Sequence, residues 1–208
     1  MKLISKVKNK IKINKKLGLF LVVLMIVGIA AGSLFVTILN NSDKNLVSSH
    51  LNLFLDNIVN GQVEYFSCFK NNLIIDLGLV LAIWFLGISI IGLPIIIFIF
   101  FSKSFILGFS IGSILSVFKT KGIIFSLIYI FPGNIINLLI MLILCIYSLS
   151  FSIYLLYAVF KKKTVDFKEL INKYTFILII SIVITVVMCL YNSYLMPKLI
   201  KSFINLIR

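Results

Sequence analysis

The sequence predicts an all-α fold, a polytopic bundle of about five transmembrane helices with an amphipathic helix in an outer loop. Of its 208 residues, 61% are hydrophobic, and the mean hydropathy is +1.17. A soluble domain of this length has too much surface to bury so many apolar side chains. The apolar runs are continuous and exceed about 18 residues, as transmembrane helices require, and they do not alternate as the strands of a β-barrel do.

The charge distribution supports the same class. The formal net charge is +14, and the lysines cluster beside apolar runs, above all in "MKLISKVKNKIKINKK" and "FKKKTVDFKELINK". Basic flanks of membrane spans stay in the cytoplasm, and they attract anionic lipid. The charge therefore orients the chain and predicts membrane lipid as a partner, with no nucleic acid.

The order of segments follows from these runs. We predict a basic cytoplasmic tail at 1–16, a first span at 17–39, an extracytoplasmic loop at 40–72, a multi-span bundle at 73–196 and a tail at 197–208. The first apolar run is too long for the core of a signal peptide and no A-x-A-like site follows it, so we expect an uncleaved anchor.

Within the bundle, the remaining spans are predicted at 73–101, 104–118, 135–160 and 174–196, with Lys103 in a cytoplasmic loop. This order places 13 of the 20 lysine and arginine residues on the side of the N-terminus. The N-terminus is then cytoplasmic and the C-terminus extracytoplasmic. The stretch 104–131 can be read in two ways, as one short span with a re-entrant segment or as two short spans.

Small residues recur at a spacing of four, which lets helix backbones approach closely in lipid. We expect them to pack helices within one chain, and a homodimer is the alternative. The residues are Gly28 and Gly32 in the first span, and Ser104, Gly108, Gly112 and Ser116 in the third.

Two breaks are expected in the bundle. Gly87, Gly92 and Pro94 make no single stripe, and Pro94 predicts a kink because it removes a backbone donor. A second break is predicted at Pro132, Gly133 and Asn134. It is either a helix cap with an interhelical hydrogen bond, which we favour, or a re-entrant pore or binding cleft.

The outer loop carries an amphipathic helical pattern that ends at Asn60-Gly61, a good helix stop. Its apolar face packs on the bundle, lies on lipid or binds a partner. That face consists of Val47, Leu51, Phe54, Leu55 and Ile58.

The sequence carries no recognisable catalytic or nucleotide-binding motif, and His50 is its one histidine. Three cysteines form no CxxC pair. We place no acidic residue at a span centre, with Asp76 nearest, at an outer edge. Since coupled transporters need ionisable groups inside the bundle, we expect a structural or assembly protein with no catalytic residue, metal or cofactor. A small channel or permease is the rival class.

These segments also carry a family resemblance. "FLGISIIGLPIIIF", followed by "ILGFSIGSI" and "FPGNIIN", resembles the stage II sporulation protein M family of endospore-forming bacteria. The plan of a basic start, one span, an outer loop and a dense block of spans is similar too. "LGISIIGLP" is the specific part of the match, and Gly133 stands where we expect glutamine.

The resemblance implies a role in engulfment, when the mother-cell membrane migrates around the forespore. Proteins of this family form a complex with two peptidoglycan-cutting enzymes, the stage II sporulation proteins D and P. The resemblance thus implies a non-catalytic scaffold in the mother-cell membrane, and it assigns no binding residue.

Overall fold

The computed structural model describes residues 15–129, 133–161 and 167–207. This part of the chain is helical throughout apart from short connections, with no strand. Five stretches are long and apolar enough to cross a membrane, which confirms the predicted all-α polytopic bundle. The helices are α1 (Lys15–Ile38), α2 (Asn41–Val59), α3 (Tyr65–Gly87), α4 (Gly92–Tyr129), α5 (Ile135–Lys161), α6 (Phe167–Leu190) and, after a π-helical turn at Tyr191–Leu195, α7 (Met196–Ile207).

The break between the second and third spans lies earlier than the sequence predicts. Helix α3 ends at Gly87 and α4 begins at Gly92, so the spans predicted at 73–101 and 104–118 are wrong in their bounds. Pro94 lies in the first turn of α4, where a missing backbone donor costs little, and it does not kink a continuous helix. Lys103 is consequently inside α4, not in a loop.

Helix α1 packs along α4 through small residues. A Cβ atom added at Gly108 would collide with the backbone carbonyl of Ile29, and one added at Gly112 would lie 2.7 Å from the carbonyl oxygen of Ser33. Gly28 approaches Ser104 in the same contact.

The other two small residues of the pattern differ from each other. Gly32 approaches the backbone of Phe105, whereas Ser116 is exposed and takes no part in this close approach. The contact therefore joins two helices of one chain.

Helix α4 is interrupted at Lys119, whose φ of 49° is unusual for a residue with a side chain. The segment after it folds back, so that a Cβ atom added at Gly122 would lie 2.8 Å from the carbonyl oxygen of Ile114. Phe118 and Phe125 meet edge to face, with their ring centroids 5.5 Å apart. Within the stretch predicted at 104–131, the described residues 104–129 are thus the end of one long helix and a short helix folded against it.

Helices α2 and α7 cover one end of the bundle, which we call the α2 end. Ile58 of α2, Phe125 of α4 and Ile200 of α7 are buried together there. The opposite end, called the turn end, carries the connection at 88–91 between α3 and α4. A larger apolar core lies between the two ends, with Ile83, Ile96, Phe100 and Leu144 fully buried.

Candidate functional site

An ion pair lies in the centre of the bundle. The ammonium group of Lys103 donates to a carboxylate oxygen of Asp76 at 2.5 Å. Asp76 is the twelfth of the 23 residues of α3, and Lys103 is the twelfth residue of α4. Each is therefore about 17 Å along its helix from the turn end, close to the middle of a hydrocarbon layer about 30 Å thick.

This position corrects the prediction that Asp76 lies at an outer edge. The early start of α3 at Tyr65 moves the carboxylate to the helix centre. Ionisable groups at this depth are rare and usually face partners inside the bundle. Each of the two groups has the other as its partner. Both are largely shielded, since 11% of the Asp76 side chain and 26% of the Lys103 side chain are exposed.

Helices α5 and α6 complete the partners of the aspartate. The side-chain amide of Asn137 donates to the second carboxylate oxygen of Asp76 at 2.7 Å. Thr185 in turn donates to the amide oxygen of Asn137 at 3.3 Å. The thiol of Cys189 lies 3.7 Å from the same carboxylate oxygen. Both oxygens of Asp76 are thus occupied by neighbouring helices.

Amide side chains continue this polar cluster towards the α2 end. Asn192 donates to the side-chain oxygen of Asn134 at 3.2 Å, and Asn72 donates to the hydroxyl of Ser193 at 3.2 Å. Of the predicted second break, Gly133 packs against Asn192, whereas Pro132 lies outside the described residues. Both Asn134 and Asn137 therefore lie among interhelical polar contacts.

The cluster lines a cavity of about 260 Å³ between α3 and α4. Ile75 and Ile106 also line it, and they are 59% and 58% exposed, so the mouth of the cavity lies between them on the side of the bundle. Towards the turn end the space is occupied by buried Val80 and Phe100. The polar lining consists of Asp76, Lys103, Asn72, Ser110, Asn134, Asn137 and Asn192.

A second polar cluster closes the turn end, and sequence reasoning missed its hydroxyl groups. The carbonyls at the end of α3 accept hydrogen bonds from α5 and α6. Ser148 donates to Ile83 at 2.7 Å, and Tyr174 donates to Trp84 at 2.8 Å. The bond from Tyr174 satisfies the carbonyl of Trp84, one of the last four of α3, which a helix end in a membrane would otherwise leave unpaired.

Ser152 satisfies the turn itself. Its hydroxyl lies 2.7 Å from the carbonyl oxygen of Gly87 and 2.8 Å from that of Ser89. The hydroxyls of Ser148 and Tyr174 occupy the space in which a side chain at Gly87 would lie, which explains the glycine. The spacing of four between Ser148 and Ser152 in α5 was the available sequence signal.

The apolar face predicted for α2 divides between the bundle and a groove. Ile58 is buried, and Leu51 and Leu55 pack against the ends of α4 and α7. Val47 and Phe54 line a groove of about 380 Å³ beside α4.

A different face of α2 is exposed. Leu46 and Leu53 are 59% and 58% exposed, and their spacing of seven places them on one side of the helix. They lie well away from Ile58 around the helix axis. In the described residues, no group of three or more histidine, cysteine, aspartate or glutamate side chains is placed to hold a metal ion.

Comparison with known proteins decides the family. Residues 21–197 match the family model of stage II sporulation protein M, which covers most of the chain. The chain belongs to the stage II sporulation protein M family. No curated protein and no solved structure matches it.

Family membership makes the chain a sporulation-related multi-pass membrane protein. The "LGISIIGLP" segment, which is the specific part of the family resemblance, has a defined place in the structure. Residues 86–94 form the end of α3, the connection and the first turn of α4. Two of its carbonyls, those of Gly87 and Ser89, lie within hydrogen-bond distance of the Ser152 hydroxyl, so α5 contacts the turn directly.

Proposed function

We propose that this protein is a non-catalytic scaffold in the mother-cell membrane that holds peptidoglycan-cutting enzymes during engulfment. Membership of the stage II sporulation protein M family supports the process, and that family is not known as a catalytic one. The expected partners are the stage II sporulation proteins D and P.

The observation that carries the proposal is the double face of α2. Ile58, Leu51 and Leu55 hold the helix against the bundle, while Leu46 and Leu53 are presented away from it. A helix fixed on one side and apolar on the other offers an anchored surface for a partner helix.

The proposed orientation places the α2 end outside the cytoplasm. With Lys103 in the centre of the bundle, 12 of the remaining 19 basic residues are in the N-terminal tail and the 161–173 segment. Because basic flanks stay in the cytoplasm, the turn end faces inward and α2 faces the cell wall.

Recruitment by α2 variants tests the proposal. Leu46→Asp combined with Leu53→Asp is expected to reduce co-purification of the wall-cutting enzymes from sporulating cells by about tenfold or more. Burial of a leucine side chain is worth about 1.5–3 kcal/mol, and 1.4 kcal/mol is a factor of ten in affinity. Leu51 is unsuitable for this test because it packs against the bundle.

The matched control is Asn45→Asp with Asn52→Asp, which adds the same charge to exposed positions of the same helix. It is expected to recruit the enzymes normally. Normal recruitment by the leucine variant, inserted at wild-type levels, would refute the assigned surface. Cleavage of peptidoglycan by the purified protein alone would refute the scaffold role.

A second candidate function, a small channel or permease, draws on the polar cavity. The cavity ends at the ion pair, and the apolar side chains Val80 and Phe100 lie beyond it. Passage of a solute through the reconstituted protein at a rate that Asn134→Ala or Asn137→Ala alters would favour this candidate.

A further inference from the structure

We propose that the cavity between α3 and α4 binds the phosphate-bearing headgroup of a phospholipid, which enters sideways from the bilayer. The proposal concerns a site that the scaffold role does not use. It rests on where the cavity opens, on which polar groups line it and on its size.

The mouth of the cavity lies in the hydrocarbon region. Ile75 and Ile106 flank it, and they stand next to Asp76 and one turn from Lys103 respectively. Asn72 and Ser110, one and two turns nearer the α2 end, also line the cavity, so the opening extends from the depth of the ion pair into the half of the hydrocarbon region on the side of the α2 end. A polar cavity that faces acyl chains is costly unless a polar group fills it, because hydrocarbon offers no hydrogen bonds.

The ammonium group of Lys103 favours an occupant that accepts hydrogen bonds. Both carboxylate oxygens of Asp76 are already engaged, by Lys103 and Asn137. An ammonium group has three donors, and the structure assigns one of those of Lys103 to Asp76. The other donors can reach a phosphate oxygen, for which lysine is a common partner.

An amphiphile fits this arrangement better than a polar side chain of a partner helix. A cavity of about 260 Å³ is larger than one polar side chain of a partner helix needs. A phospholipid places its headgroup among Lys103 and the amides of Asn72 and Asn192, while its acyl chains leave past Ile75 and Ile106. Since Asp76 offsets the charge of Lys103, anionic and zwitterionic headgroups are expected to bind comparably.

Native mass spectrometry of the full-length protein in detergent tests this site. The probes are phosphatidylglycerol, phosphatidylethanolamine and diacylglycerol with the same acyl chains, and soluble glycerol 3-phosphate. We expect one tightly retained molecule of either phospholipid. Diacylglycerol should bind about tenfold more weakly or worse, since it lacks the charge-assisted hydrogen bonds of the phosphate. Glycerol 3-phosphate should not be retained.

Two variants assign the binding to the cavity. Ile75→Trp with Ile106→Trp narrows the mouth without touching the polar cluster, and should weaken phospholipid retention about tenfold. Its control, Ile74→Trp with Ile95→Trp, makes the same change at exposed positions that do not line the cavity, and should retain lipid normally. Asp76→Asn with Lys103→Gln removes both charges together and should also weaken retention.

Three results would overturn the proposal. Retention of diacylglycerol as tight as that of phospholipid would show that no headgroup is recognised. If the mouth variant and the neutral variant both retained phospholipid as tightly as the wild type, the lipid would bind elsewhere on the surface. Retention of glycerol 3-phosphate as tight as that of phospholipid would make a soluble phosphate ester the ligand.

Discussion

Asp76 and Lys103 are 27 residues apart in the sequence, yet their charged groups meet at 2.5 Å in the middle of the bundle. The turn at 88–91 brings them together, since each lies eleven residues from the helix end beside it. Charges at this depth are tolerated when they are paired and hydrogen-bonded. The contact between Asp76 and Lys103 at the centre of α3 and α4 therefore depends on the position of that turn.

Breaking the pair on one side should destabilise the protein. Removal of one partner of a buried pair costs about 3–5 kcal/mol, and we expect less for Lys103→Gln because the lysine is about one quarter exposed. Asp76→Asn with Lys103→Gln should be more stable than Lys103→Gln alone. Thermal unfolding in detergent of the wild type, Asp76→Asn, Lys103→Gln and the double variant measures this coupling, and strictly additive effects would show that the pair contributes none.

The close approach of α1 and α4 should tolerate no large side chain. Gly108→Leu would drive a side chain into the backbone of Ile29, and Gly112→Leu would press on Ser33. Overpacking of this kind costs about 1–3 kcal/mol or more, so both variants should unfold at lower temperature.

Gly78→Leu is the matched control for this contact, because nothing lies within 4 Å of a Cβ atom at that position of α3. It should unfold at the wild-type temperature. If Gly108→Leu were as stable as the wild type and lost only self-association, the small residues would form a dimer surface instead.

The hydroxyl of Ser152 should contribute more to the stability of the protein than the hydroxyl of the nearby Ser150. Ser152→Ala leaves the carbonyl of Gly87 without this donor in a buried site, which is expected to cost about 1–3 kcal/mol of stability. Ser150→Ala is the control, since the Ser150 hydroxyl donates to Ile146 within its own helix. Equal unfolding temperatures for the two variants would contradict the role of Ser152 at the turn.

The cysteines report the orientation of the chain. Cys68 is exposed near the start of α3, whereas Cys145 and Cys189 are buried. A membrane-impermeant maleimide applied to intact cells should therefore label Cys68 alone. Labelling that requires permeabilised cells would place the α2 end in the cytoplasm and reverse the proposed orientation.

The number of spans and helix α2 were predictable because they depend on local pattern. Long apolar runs must form helices in a bilayer, and Asn60-Gly61 stops α2 as expected, with Gly61 at a φ of 71°. The apolar spacing of α2 also identified Ile58 as part of its buried face.

The central site was missed because it depends on where the chain turns. A lysine inside an apolar run predicts a boundary, which is why the sequence places Lys103 in a loop. The true connection at 88–91 contains no charge, and it is stabilised by Ser148, Ser152 and Tyr174 from distant helices. A break between Gly87 and Gly92 implies the symmetric positions of Asp76 and Lys103.

Photocrosslinking in sporulating cells tests the scaffold account most directly. A photoreactive residue at Leu53, on the exposed face of α2, should crosslink to a peptidoglycan-cutting enzyme. The same residue at Ile26, which is 58% exposed on α1, should not. If Leu53 crosslinked to no such enzyme, or if Ile26 captured it equally well, the account of α2 as the recruiting surface would be contradicted.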